Sequence, residues 1–284
     1  MRIRLSFRLT YTDVLGMLSG FWTLICTALT FLTRLPLVAR FADPAPAALA
    51  RSAALWPLVG VMIGAVIAGV LLLFAPLLGH TLAAWLALLA GLLLTGAFHE
   101  DGLADSFDGL WGGFTPQRRL EIMKDSRIGT YGGLALILLI GLKAALLAEL
   151  ANFGPILVCA ALIAAHALAR ASVLPLTRWL PYVRIGADNK PVAEAISSGI
   201  TAVGLSLSGL IVLAMLSWAG ISLLESLKLS GILFAALLTL WLGWASVLRQ
   251  KLGGITGDTL GAVNQLTEVA VLLMACGFLR FKAG

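Results

Sequence analysis

The sequence predicts an all-α fold: a polytopic transmembrane helix bundle with about seven to eight membrane segments, each close to the length that crosses a bilayer. Of its 284 residues, 60% are hydrophobic and only 12% are charged, and the mean hydropathy is +0.99. Soluble domains carry about a quarter charged residues, so this chain has too few to cover a water-facing surface. Helices are expected because lipid offers no partners for open backbone groups.

Seven apolar runs approach the length of about 20 residues that a membrane helix needs. They cover residues 53–78, 82–98, 133–151, 155–177, 200–223, 231–248 and 261–279. An eighth run, residues 14–35, is weaker because Thr, Ser and Gly interrupt it. No polar linker is long enough to separate two domains, so we expect one integral membrane domain over residues 1–284.

Basic residues are concentrated in alternate connections between these runs. The basic connections contain Arg34, Arg40 and Arg51, then Arg118, Arg119, Lys124 and Arg127, then Arg178, Arg184 and Lys190, and finally Arg249 and Lys251. The intervening connections contain only Lys228. The positive-inside rule then puts the basic loops in the cytoplasm and makes the chain a multi-pass protein of the cell (inner) membrane, surrounded by membrane lipid. This arrangement also accounts for the net charge of +6, so no nucleic-acid partner is expected.

Basic residues at the two chain ends fit this alternation less well. Arg2, Arg4 and Arg8 precede the weak first run, and Arg280 and Lys282 end the last one. The orientation of both termini is therefore left open, as is the oligomeric state, a homo-oligomer included.

Acidic residues are concentrated in one short stretch, since six of the fourteen fall within residues 100–125. On a helix, Asp101, Asp105 and Asp108 are spaced i, i+4 and i+7 and share one face. Stacked carboxylates repel one another unless a cation lies between them, and hard oxygen ligands suit Mg²⁺ or Mn²⁺. A solvated acidic loop is the alternative. His99 directly precedes the stretch and has either the role of a base or a structural role.

A basic and glycine-rich stretch follows the acidic one. Lys124 and Arg127 are three residues apart, so a helix would present both on one side. The Gly-rich turn at residues 129–133 offers backbone amides to an anion, as does the N-terminus of the next helix. An acidic metal-binding face beside such a basic face suits a diphosphate. The alternative is that these bases only hold the loop in the cytoplasm or contact lipid phosphates.

A third cluster comprises the Gly-rich turn at residues 253–257, Asp258 directly after it, and Glu268 further along the same run. Intramembrane carboxylates are costly and are therefore candidates for function. Glu268 is alternatively a paired structural charge. Arg170 or Lys143 is then its partner, or either base meets a substrate phosphate instead.

Taken together, these motifs resemble those of the cobalamin synthase family, adenosylcobinamide-GDP ribazoletransferase. The resemblance is carried by His-x-Asp-Gly-Leu-Ala-Asp-x-x-Asp-Gly at 99–109, Glu-Ile-Met-Lys-Asp-Ser-Arg-x-Gly at 121–129 and Gly-Gly-x-Thr-Gly-Asp-Thr-Leu-Gly at 253–261. Residues 31–36 and 56–60 are similar as well, so it covers nearly the whole chain in order and spacing. It implies transfer of the cobinamide phosphate of adenosylcobinamide-GDP to α-ribazole or its 5′-phosphate, with release of GMP and with Mg²⁺ as the cofactor.

Residue chemistry and the resemblance together assign roles at this site. The predicted metal ligands are Glu100, Asp101, Asp105 and Asp108. The predicted catalytic residues are His99, Asp125 and Asp258. The predicted substrate-binding residues are Lys124, Arg127, Gly129, Arg170 and Gly257.

Two other functions are compatible with spaced aspartates in a membrane protein. A CDP-alcohol phosphotransferase also uses them, but its pattern has an Ala-Arg pair that has no match after the Asp-Gly pairs here. A cation-coupled transporter would place its carboxylates near the bilayer midplane, often within inverted repeats. The acidic stretch instead lies in a predicted cytoplasmic connection and is not repeated. Both therefore rank below the cobalamin synthase hypothesis.

Overall fold

The computed structural model describes residues 11–183 and 195–283 of the chain. Two predicted loop bases, Arg184 and Lys190, and the three arginines near the N-terminus lie outside these residues. Within them the chain is helical, and the extended backbone forms only an isolated bridge between Tyr182 and Ile255. The predicted all-α class is confirmed.

Most of the helices follow one another with short connections. They are α1 (Tyr11–Leu32), α2 (Pro46–Ser52), α3 (Trp56–Thr95), α4 (Phe98–Gly112), α5 (Pro116–Met123), α6 (Thr130–Ala151), α7 (Pro155–Trp179), α8 (Ser198–Trp218), α9 (Leu223–Lys251) and α10 (Gly257–Ala283). Local chemistry sets several boundaries. The side chains of Thr115, Ser197 and Ser222 accept hydrogen bonds from the first turns of α5, α8 and α9, as helix N-caps do.

Helix α3 is a hairpin of two membrane-crossing arms. Its backbone breaks at Gly79, where φ is +77° and ψ is 162°, a conformation that only glycine adopts readily. A Cβ at Gly91 would lie 2.8 Å from Ile67 Cδ1, whereas a straight helix would separate these residues by roughly 36 Å. The arms are therefore antiparallel.

The number of membrane crossings follows from this reversal. Six helical runs are long and apolar enough to span a bilayer, and the first of them turns back at Gly79, which gives seven crossings among the described residues. This agrees with the predicted seven to eight. The weak first run forms α1, whose apolar part, Leu18–Leu32, is shorter than a full span.

The connections lie at two ends of the bundle, as the charge pattern predicts. At the end that we call the basic end, the backbone N–H of Arg34 donates to Leu94 O at 2.8 Å, and Arg119 Nη1 donates to Lys251 O at 2.6 Å. The first bond joins the connection after α1 to the end of α3, and the second joins α5 to the end of α9.

At the opposite end, His80 lies 2.8 Å from Asn152 in the next connection. The last basic residues of α10 also lie here, paired with carboxylates of other helices. Arg280 contacts Glu149 at 2.7 Å, and Lys282 lies 3.5 Å from Glu225 at the start of α9. The ion pairs explain how α10 ends in basic residues away from the basic end.

Helix α7 is the centre of the bundle and is buried along most of its length. Its side chains are small, and Gly60 and Gly64 of α3 allow the two backbones to touch. A Cβ at Gly64 would lie 2.8 Å from Ile163 Cα. Close approach through small residues is the usual way in which membrane helices associate. The polar residues that α7 carries, His166 and Arg170, are therefore enclosed by protein.

Candidate active site

The acidic stretch forms α4, which packs against the beginning of α10. Helix α4 starts after Gly96 and Ala97, both of which have positive φ. A Cβ at Gly102 would lie 2.8 Å from the backbone oxygen of Asp258, and one at Gly261 would lie 3.2 Å from the backbone oxygen of His99. The two glycines therefore let the backbones of α4 and α10 meet, which brings Asp258 beside the aspartates of α4.

Asp105 is in the middle of this group of carboxylates. Partial burial, followed by the negative charges of Asp101, Asp258 and Asp108, raises the pKa of Asp105 to about 7. Carboxyl groups from two separate parts of the sequence therefore share one electrostatic environment at the basic end.

This environment suits a divalent cation. The groups that perturb Asp105 are all carboxylates, and hard oxygen donors are the ligands that Mg²⁺ prefers. Among the described residues, no three His, Cys, Asp or Glu side chains are gathered closely enough to enclose a metal by themselves. Magnesium in phosphate-processing sites usually takes one or two carboxylates and completes its shell with substrate oxygens and water. The donor set of Asp101, Asp105 and Asp258 fits that mode of binding.

Asp108 has a different partner from the one that the sequence predicts. Its two carboxylate oxygens accept hydrogen bonds from the backbone amides of Gly129, at 2.7 Å, and Gly132, at 2.8 Å. A Cβ on either glycine would overlap this carboxylate. The amides at the start of α6, which the sequence assigned to a substrate phosphate, therefore bind a side chain of α4. Asp108 and Gly129 join α4 to α6 in this structure, and their roles in metal and substrate binding stay predictions.

Three other predicted site residues, Glu100, His99 and Arg170, lie in a buried ionic cluster that faces away from these aspartates. Its centre is the carboxylate of Glu268, which contacts Lys143 and Arg170 and lies 3.0 Å from His166 Nδ1. Lys143 also donates to Gln265 at 2.6 Å. Arg170 is only 1% exposed and is engaged in ion pairing, which supports the paired-charge alternative for Glu268. The role of Arg170 in substrate binding stays a prediction.

Glu100 and His99 belong to the same cluster. Glu100 Oε1 lies 3.9 Å from Lys143 Nζ, and both Glu100 and His99 are buried. Glu100 lies next to Asp101 in the sequence, but neighbouring helix residues point about 100° apart. The predicted metal ligand Glu100 and the predicted base His99 are thus directed into the bundle, and both assignments stay predictions.

The loop between α5 and α6 carries an exposed ion pair. Arg127 Nη2 lies 2.6 Å from Asp125 Oδ2, and hydrogen bonds from Arg127 lower the pKa of Asp125 to about 2. A carboxylate with so low a pKa is a weak base, so Asp125 is poorly suited to the predicted proton transfer. The side chain of Arg127 is 87% exposed, and Lys124 at the end of α5 is exposed as well.

The turn before α10 is held by a second loop. The N–H of Val183 donates to Ile255 O at 2.8 Å, and the N–H of Ile255 donates to Pro181 O at 2.9 Å. Tyr182 lies between them and approaches the amide of Gly257 at 3.2 Å. Tyr182 was not predicted as a site residue, because a single aromatic residue in a loop between two apolar runs gives no signal of this contact. The predicted substrate-binding amide of Gly257 is the one that Tyr182 contacts.

The fold and this site together define a polytopic membrane protein in which carboxylates and a basic loop meet at one end of a helix bundle. A family model described as cobalamin-5-phosphate synthase matches residues 24–276. The chain belongs to the cobalamin-5-phosphate synthase family, as the motif resemblance implied.

Curated relatives cover most of the chain and share one name, adenosylcobinamide-GDP ribazoletransferase. The protein of Leptothrix cholodnii is 42% identical over 87% of this chain and 92% of its own length. That of Vibrio cholerae is 42% identical over 79% of this chain and 82% of its own, and that of Albidiferax ferrireducens is 40% identical over 87% and 94%. No solved structure matches the chain. These relatives favour the cobalamin synthase hypothesis over the CDP-alcohol and transporter alternatives.

Proposed function

We propose that this protein transfers the cobinamide phosphate of adenosylcobinamide-GDP to α-ribazole, or to its 5′-phosphate, with release of GMP. The observation that carries this proposal is the family match over residues 24–276. The relatives' shared name contains adenosylcobinamide-GDP, which supports this compound as the donor. The grouping of α4 and α10 carboxylates supports it, because transfer between phosphate esters needs developing negative charge to be neutralised.

In the proposed reaction, a ribose hydroxyl of α-ribazole attacks the phosphorus that is bonded to cobinamide. The new P–O bond forms as the bond between this phosphorus and the GMP oxygen breaks, and the hydroxyl proton passes to a base. Bound Mg²⁺ would neutralise charge on the diphosphate and on the leaving GMP. Asp101, Asp105 and Asp258 are the residues that would hold it.

Of the predicted catalytic residues, Asp258 is the one that lies beside the α4 aspartates, and its proposed role there is to complete the metal shell. It begins α10 beside the α4 aspartates, and its Oδ2 lies 3.3 Å from the hydroxyl of Thr256. His99 is buried in the ionic cluster and Asp125 is paired with Arg127. Lys124 and Arg127 extend from the neighbouring loop, where they would bind non-bridging phosphate oxygens, the guanidinium in bidentate fashion.

The proposal includes the location of the site. The loops of the basic end carry most of the Lys and Arg residues outside the membrane runs, so the positive-inside rule directs this end to the cytoplasm. We therefore propose a protein of the cell (inner) membrane with its active site facing the cytoplasm, where the nucleotide-activated substrate is dissolved.

The proposal is tested with purified protein in detergent, adenosylcobinamide-GDP, α-ribazole and Mg²⁺, by following GMP release. We expect turnover by the unmodified protein and a loss of about 10²- to 10³-fold in Asp101→Asn, because a charge contact to the transition state is removed. Asp43→Asn is the matched control, since Asp43 caps a turn at the basic end through Ala45. Absence of GMP release by the unmodified protein contradicts the proposed function, and near-native release by Asp101→Asn contradicts the proposed site.

A further inference from the structure

An apolar cavity lies at the opposite end of the bundle, far from the aspartates of α4. It has a volume of about 390 Å³ and is lined by α7, α8, α9 and α10. Its walls are apolar side chains and glycine, among them Ala161, Met215, Ile232 and Gly277. Along α10, the nearest lining residue, Val271, is roughly 20 Å from Asp258 by helical rise. The cavity is therefore separate from the proposed active site.

The length of the cavity matches one leaflet of a bilayer. Its lining residues on α10 extend from Val271 to Leu279, a rise of roughly 12 Å. Half of the hydrocarbon core of a bilayer is about 15 Å thick. The cavity begins beside the α8–α9 turn, where Ala219 and Ile221 line it, so it extends from the membrane boundary to near the midplane.

The lining of the cavity suits a hydrocarbon chain, because almost all of its surface is apolar. The cavity is also reachable from the lipid, because Ile232 lines it and is 61% exposed.

A basic side chain lies at the membrane-boundary side of this opening. Lys228 is exposed and is four residues before Ile232 on α9, so both are on the same helix face, with Lys228 one turn nearer the boundary. Lysine at such a position extends its amine to the headgroup region while its methylenes stay in the hydrocarbon. A chain seated against Ile232 would therefore have its headgroup near this amine.

We propose that the cavity binds one acyl chain of a phospholipid from the leaflet at the opposite end, with the lipid phosphate near Lys228. The apolar lining, the leaflet-matched length and the cation at the mouth each correspond to one part of such a lipid. The proposal does not depend on the reaction at the other end of the bundle.

The experiment compares two Gly→Leu variants on exposed helix faces. Gly277 lines the cavity, Gly243 of α9 does not, and a Cβ on either one would meet nothing within 4 Å. Each protein is reconstituted with phosphatidylglycerol, re-extracted in detergent, and analysed by mass spectrometry of the intact protein–lipid complex. The unmodified protein and Gly243→Leu retain stoichiometric phosphatidylglycerol, and Gly277→Leu loses it. Ile232→Trp obstructs the same space from α9 and keeps the test decisive if Gly277→Leu does not fold.

Lys228→Gln tests the headgroup contact separately from the acyl-chain contact. We expect it to weaken retention of phosphatidylglycerol and to leave retention of diacylglycerol, which has no phosphate, unchanged. Equal phosphatidylglycerol retention by Gly277→Leu, Ile232→Trp and the unmodified protein overturns the proposal. Light scattering gives a second outcome that overturns the proposal. If Gly277→Leu and Ile232→Trp change the number of chains per particle while the lipid content stays the same, the cavity is an interface between copies of the chain.

Discussion

Glu268 illustrates how single residues of this bundle depend on their partners. Its carboxylate is 1% exposed and contacts Lys143 and Arg170 from two other helices. A buried ion pair is weakly stabilising as a whole, but removal of one member leaves an uncompensated charge. The cluster therefore constrains how α6, α7 and α10 pack, while Glu100 connects it to α4.

Replacement of Glu268 by Gln tests this interpretation. We expect Glu268→Gln to lower the free energy of unfolding by about 3–5 kcal/mol, since the charges of Lys143 and Arg170 stay buried without their partner. Glu225→Gln is the control, because Glu225 pairs with Lys282 at the exposed end of α9 and should cost less than about 1 kcal/mol. Unfolding by SDS measures both. Equal effects would show that the cluster has no special role in stability.

The raised pKa of Asp105 makes the stability of the folded protein depend on pH in a definite direction. Burial and three neighbouring carboxylates raise its pKa from 3.8 to about 7. Its folded form thus binds a proton more tightly than its unfolded form, so its contribution to stability is complete below about pH 4 and is lost as the pH rises to about 7. In EDTA, the thermal unfolding temperature of the unmodified protein should fall over this interval relative to that of Asp105→Asn. Parallel pH profiles of the two proteins would contradict the shifted pKa.

At the scale of helices, hydropathy and charge predicted most of the elements but not their rotations. The apolar runs located the membrane crossings, and the reversal at Gly79 lies where the sequence placed a connection without basic residues. The shared face of Asp101, Asp105 and Asp108 followed from helical spacing. What this face meets is decided by tertiary packing, which is why Asp108 binds the amides of α6.

The same limit explains why the sequence did not predict the buried cluster as a whole. Proximity in the sequence assigned Glu100 and His99 to the site, and Arg170 was assigned to it as an intramembrane base that could meet a substrate phosphate. Whether such a side chain faces the aspartates or the bundle interior depends on how α4 is rotated against α6, α7 and α10. Glycines that allow close contact set this rotation, and their partners across the interface cannot be identified from one sequence.

Gly102 is the residue through which the packing of α4 on α10 can be tested. Its Cβ would lie 2.8 Å from the backbone oxygen of Asp258, so Gly102→Ala should separate the two helices and cost about 1–3 kcal/mol, together with most of the GMP release. Gly112→Ala is the control on the same helix, because its Cβ would lie 3.7 Å from Ile122 Cδ1, an ordinary contact. Unfolding by SDS and GMP release are measured for both variants. Native activity in Gly102→Ala would show that this close contact is not required.

At the scale of the whole molecule, the bundle separates two environments. The basic end brings carboxylates of α4 and α10 together beside a Lys- and Arg-containing loop, and the opposite end encloses an apolar cavity between α7 and α10. The buried ionic cluster lies between the ends and links α4 to three membrane helices. This arrangement explains how a chain with so few charged residues concentrates charge where phosphate chemistry is proposed.

The measurement that tests the central claim most directly is Mn²⁺ binding by electron paramagnetic resonance, in detergent and in the presence of GDP. The account predicts one saturable site in the unmodified protein and a loss of affinity of at least about tenfold in both Asp105→Asn and Asp258→Asn, which lie on different helices. Asp125→Asn, which removes a carboxylate paired with Arg127, should bind Mn²⁺ like the unmodified protein. Unchanged affinity in Asp105→Asn and Asp258→Asn would contradict the claim that α4 and α10 form one cation site.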